Sequence, residues 1–99
     1  MDYSEFVDAD RRLAILRFLS EQADYSLNEG VTQMALKGVG HTISRTAIAA
    51  DFDWLAERKL VTITSIGEGR IRVAWLTQLG SDVAQGLEQV EGVKRPGPG

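Results

Sequence analysis

Ser44, Arg45 and Thr46 stand in succession at the head of a stretch with helical periodicity, and Ala49 follows one turn after Arg45. A guanidinium at that place can donate two parallel hydrogen bonds to the O6 and N7 of guanine, worth about 1–3 kcal/mol of discrimination. The neighbouring hydroxyls can meet phosphate or base edges, and the Ala49 methyl can meet a thymine methyl group. Arg70 and Arg72 lie two residues apart in an alternating, β-branched run, so both are expected on one open side of a strand, placed for a DNA backbone or minor groove. Each feature also has a plainer use. Ser44 can simply cap a solvated helix, and alternating arginines keep an exposed strand from aggregating. Asp53 and Glu57, further along the same helix, and Glu68 in the turn before Arg70 oppose an anionic partner.

Other chemistries find less footing. There is no cysteine, which removes disulfides, thiolate metal sites and cysteine nucleophiles together, and a single histidine, His41, cannot build a zinc site unaided. Asp51 and Asp53, two apart on a helix, point to different faces, no nucleophile is paired with a base, and no glycine-rich loop follows a strand. The chain is therefore expected not to be an enzyme and to use no metal or cofactor. His41, in the turn before the helix, is expected to cap the preceding helix rather than touch phosphate. Asp51 is expected to be partly buried against one of Arg11, Arg12 or Arg17. Trp54 and Trp75 are assigned to core or interface.

Net charge over the 99 residues is −3, which argues against attraction of nucleic acid by bulk charge. The middle third differs from the rest: Arg45, Arg58, Lys59, Arg70 and Arg72 face Asp51, Asp53, Glu57 and Glu68, a net of +1 against −3 before and −1 after. Hydrophobic residues at 43% and charged residues at 25% fit one folded domain of this length. No apolar run reaches the roughly 18 residues of a membrane span, and the acidic start lacks the form of a secretion signal. No membrane partner is expected.

The elements that would position these residues can be read in order. Leu13, Ile15, Leu16 and Phe18-Leu19 give a first helix over about 8–22, capped by Asp8 or Asp10, with Arg11, Arg12 and Arg17 largely on its wet side. Ser26 or Asn28 caps a second helix, Ser26 forming a capping box with Glu29, and Gly38 and Gly40 surround its stop. Ser44 caps the third, whose inward face is Ile48, Phe52 and Leu55. Residues 60–66 and 70–76 alternate about Gly67-Glu68-Gly69 as a hairpin, with Val61, Ile63, Ile71, Val73 and Trp75 facing the helices. Thr77 caps a fourth helix ended by Gly86. Residues 1–86 form the domain, and 87–99, with both prolines, form a flexible tail.

Three helices, a two-stranded wing hairpin and a C-terminal helix define a mainly α member of the α+β class, the winged helix-turn-helix. Residues 43–63, ISRTAIAADFDWLAERKLVTI, resemble the recognition helix and first wing strand of winged-helix regulators, and 76–86, LTQLGSDVAQG, resemble the segment after their wing. Over its whole length, from DYSEFVDADRRLAILRFL to GVKRPGPG, the chain is similar to a family of small Mu-like prophage proteins often labelled ArsR-like regulators. That resemblance implies a phage-encoded winged-helix domain. Two departures stand out: the cysteine or histidine-carboxylate clusters of metal-sensing ArsR relatives are missing, and Lys59 stands where many winged helices have glycine before the wing's Leu-Val.

The expected function is a DNA-binding transcription regulator in the host cytoplasm, reading double-stranded DNA through Ser44, Arg45, Thr46, Ala49, Arg70 and Arg72. So few ionic contacts per chain imply a homodimer, with the first and fourth helices and Tyr3, Phe6 and Val7 as candidate self-association surfaces. The alternative is a structural or assembly adaptor whose third helix and acidic residues hold another phage protein.

Overall fold

The computed structural model describes residues 2–97. Helix α1 spans Tyr3–Glu21, strand β1 Ser26–Asn28, α2 Glu29–Gly38, α3 Arg45–Glu57, β2 Val61–Ile66, β3 Ile71–Leu76 and α4 Gln78–Gln85. About half the chain is helical, three helices preceding the β2–β3 hairpin and one following it. The class is α+β. Helix α1 starts earlier than its apolar stripe, because nothing between Tyr3 and Ala9 breaks a helix and Asp2 accepts the Glu5 N–H at 2.9 Å. Asp2, rather than Asp8 or Asp10, is the cap.

The sheet has three antiparallel strands in the order β1-β3-β2, where two were expected. The connector before α2 supplies the third: Ser26, Leu27 and Asn28 pair with Trp75, Ala74 and Val73. Ser26 is thus committed to the sheet. The cap of α2 is Asn28, whose Oδ1 accepts from the Val31 N–H at 2.8 Å.

The expected facing of β3 is reversed. Its register, Ile66 opposite Ile71 through Val61 opposite Leu76, closes on a turn of four residues, 67–70, which includes Arg70. Taking Arg70 out of the strand shifts the pairing by one, and a slip of one moves every side chain to the other face. Val61 and Ile63 do face the helices, so their partners Leu76 and Ala74 share that side, and Arg72 opposite Ser65 goes with them. Ile71, Val73 and Trp75 lie on the open face.

Helix ends follow local chemistry. Ser44 caps α3, its Oγ accepting from the Ala47 N–H at 3.1 Å, and Thr77 caps α4 by accepting from Gly80 at 3.0 Å. At the end of α3, Lys59 takes φ 63°, with Lys59 N–H bound to the Ala56 carbonyl and Leu60 N–H to that of Leu55. This paired closure normally recruits glycine. Gly40, at φ 96°, ends α2 in the same way.

The core lies between the sheet and the helices, with Leu16 and Leu19 of α1, Leu36 of α2, Ile48, Phe52 and Leu55 of α3, and Leu60 fully buried. Residues 87–97, expected as a free tail, pack back onto α1. Val93 joins the core, and the Lys94 N–H donates to the Ala9 carbonyl at 3.1 Å. Val90 and Val93 bring apolar surface enough to hold this strap in place. The last two residues of the expected tail lie outside the described residues.

Candidate functional site

The first turn of α3 presents Ser44, Arg45 and Thr46 to solvent. A turn over 39–44 joins it to α2 and is tied down by Gln33 Nε2, which donates to the Ile43 carbonyl at 2.8 Å. The Arg45 guanidinium lies beside Gly30 at the start of α2, where a Cβ would come within 3.3 Å of Nη1. Among the described residues no carboxylate is within ion-pair distance of Arg45, nor of Arg70 in the exposed hairpin turn. Ala49, one turn further, is half-buried.

Arg72 is engaged inside the molecule. Its guanidinium pairs with Asp53, reaches Glu29 Oε2 at 3.5 Å, and donates to the Ala49 carbonyl at 3.4 Å. Glu29 is itself buried, so the pair relieves a carboxylate that would otherwise lose its hydration. One side chain of β3 thereby ties together the starts of α2 and the middle of α3. Arg72 is a brace, and the expected pairing of Arg70 with Arg72 on one open strand face is not formed.

Behind this surface lie three further polar clusters. Arg11, expected on the wet side of α1, is buried and forks onto Asp51 at 2.6 and 2.8 Å, with Asp8 at 3.0 Å. Asp51 is thus the paired carboxylate expected. His41 Nε2 meets Asp10 Oδ2 at 2.7 Å, and Lys94 of the strap meets Oδ1 at 3.1 Å. The His41 hydrogen bond, opposed by burial and aided by Lys94, holds the Asp10 carboxyl below its ordinary range. His41 accordingly joins the α2–α3 turn to α1.

The third cluster was not foreseen: the Trp54 indole is stacked between the guanidiniums of Arg12 and Arg58, at 3.9 and 3.7 Å from the ring centre. Gly92, at φ 96°, approaches so closely that a Cβ would sit 2.4 Å from the indole, and its carbonyl accepts from Arg12 Nη1 at 3.0 Å. Trp54 on α3 and Arg58, the residue that ends the helix, are four apart, a spacing that could have signalled half of this stack. Arg12 comes from α1, and no local spacing encodes it. An open groove of about 560 Å³ runs past these residues.

Among the described residues no group of three or more histidines and carboxylates could hold a metal ion, and no helix is long and apolar enough to cross a membrane.

A small α+β chain with an exposed, hydroxyl-flanked arginine at one helix head is the class that fold and site define. The chain is 41% identical over 95 residues to the uncharacterized protein gp26 of Escherichia phage Mu, covering 96% of both. It is 40% identical over 78 residues to an uncharacterized protein of Haemophilus influenzae, covering 79% of this chain and 74% of that one. No family model matches the chain. It belongs to the family of the phage Mu protein gp26. Neither relative bears an ArsR-like label.

Proposed function

We propose that the chain is a winged helix-turn-helix protein that binds double-stranded DNA and regulates phage transcription in the host cytoplasm. α2 and α3 form the helix-turn-helix, α3 is the recognition helix, and β2–β3 is the wing. The observation that carries the proposal is Arg45: exposed in the first turn of α3, flanked by the hydroxyls of Ser44 and Thr46, and clear of any carboxylate partner among the described residues. Recognition helices meet base edges with their N-terminal residues. Asp53 and Glu57 lie on the later turns, and Asp53 is already paired with Arg72. Arg70 at the wing tip supplies a backbone contact. Ala49 is left a marginal role by its burial, and Arg72 acts by holding wing and recognition helix in register.

With Arg45 and Arg70 as the contacts to DNA, affinity depends on two heads acting together, so the DNA-binding form is a homodimer. Metal sensing of the ArsR kind is not part of the proposal, since the chain has no cysteine.

Fluorescence anisotropy on fragments of the cognate phage genome tests it. Arg45→Ala is expected to weaken the best fragment about tenfold or more by removing a bidentate base contact, while Arg17→Ala, exposed on α1, leaves it unchanged. Absence of binding at low salt, with a phage protein co-purifying in stoichiometric amount, would instead establish the adaptor role.

A further inference from the structure

Gly30 stands in the first turn of α2, where alanine would hold a helix better. Nothing in its backbone demands glycine, because its φ is not positive. Space accounts for it instead. A Cβ built at Gly30 comes within 3.3 Å of Arg45 Nη1 and 3.8 Å of its Cζ, so the bare backbone of α2 is the floor against which the Arg45 guanidinium lies. Asn28 Oδ1, which caps α2, stands at 3.5 Å from the same point, an ordinary van der Waals distance that leaves the cap intact. Gly38, on the same helix and also without positive φ, has nothing within 4 Å of its Cβ position.

We infer that Gly30 is a positioning residue for Arg45: its missing side chain leaves the place in which the guanidinium is held at the head of α3, and a side chain at position 30 spoils base discrimination without harming the fold. The inference rests on the proposed reading of Arg45 as the base reader. Among the described residues no carboxylate is within ion-pair distance to fix Arg45, so contact with α2 is what orders it. A surface arginine gives up much rotamer freedom on binding, and a fork already in place gives up less. Alanine at position 30 forces Nη1 to move by a few tenths of an ångström, whereas leucine fills the place outright.

Gly30→Ala, Gly30→Leu and Gly38→Ala, set beside the parent, test this by thermal unfolding, by NMR relaxation at the Arg45 Nε–H without DNA, and by anisotropy on the best-bound and a scrambled duplex. Both alanine variants are expected to melt at or above the parent's temperature. Gly30→Leu is expected to loosen the Arg45 Nε–H and to lower preference for the best duplex about tenfold, as Arg45→Ala does, with Gly30→Ala between and Gly38→Ala unchanged. In an Arg45→Ala background Gly30→Leu has no further effect, because it acts through that side chain alone. An Arg45 Nε–H equally mobile in the parent and in Gly30→Leu overturns the inference. So does a loss of binding from Gly30→Leu that is as large with Arg45 already removed. If the leucine variant fails to fold, Gly30→Ala carries the same comparisons. A parent chain that ignores duplex DNA defeats the reading of Arg45, and with it the claim on discrimination, while the relaxation comparison still decides whether Gly30 holds the guanidinium.

Discussion

Arg11 and Arg72 are both arginines spent on intramolecular carboxylates, yet their burial separates their consequences. Arg11 and Asp51 form a buried fork, and removing one partner strands a charge away from water. Asp51→Ala is expected to destabilise the fold by about 3–5 kcal/mol, read from the denaturant midpoint. Arg72→Ala leaves Glu29 buried and unpaired, and a loss of about 1–3 kcal/mol is expected in the same assay. Arg45→Ala removes no contact of that kind, so its stability should stay within about 0.5 kcal/mol of the parent. Asp10 adds a pH dependence. Its carboxyl is held low in the folded state, so its contribution is full above the unfolded pKa and disappears as pH falls through the folded one. Asp10→Asn should therefore lower the melting temperature at neutral pH, with the gap closing as acid protonates the parent's Asp10. An arginine partner for Asp51 was legible because a carboxylate on the apolar face of a helix needs one. That Arg72 turns inward was not, because its direction depends on a turn one residue longer than its glycines suggest.

Helix caps were the most legible elements, since Ser44, Thr77 and Gly86 act through bonds to their own neighbours. Lys59 is the informative departure. It occupies the left-handed conformation that glycine enters freely, so Lys59→Gly is expected to raise stability by about 1 kcal/mol. Gly80 works in the opposite direction: a Cβ there would lie 2.1 Å from the Leu60 carbonyl oxygen and 2.7 Å from Leu76 Cδ1. Gly80→Ala should cost about 1–3 kcal/mol or more by prising α4 from the foot of the hairpin, which thermal unfolding will show. Strand β1 was hidden for a physical reason. Three residues carry no period, and their pairing with β3 is set by tertiary contact alone. The same holds for β3, whose apolar residues occupy both faces, so that alternation could not say which side meets the helices.

Across the whole molecule, the strap of residues 87–97 joins α1 to the α2–α3 turn through Lys94, Asp10 and His41, and covers Trp54 with Gly92. Its composition suggested a free tail because prolines and glycines dominate its end, while the two valines that anchor it are too few to show a period. In the proposed function an acidic molecule meets DNA through Arg45 and Arg70, neither of which has a carboxylate within ion-pair distance among the described residues. The salt dependence of duplex binding is the most direct test. For the parent, log affinity should fall linearly with log salt, with Arg70→Ala reducing the slope by about one contact and Arg45→Ala also erasing preference among sequences. A parent chain that ignores duplex DNA at low salt, or binds every sequence alike with the slope unmoved by either substitution, would contradict it.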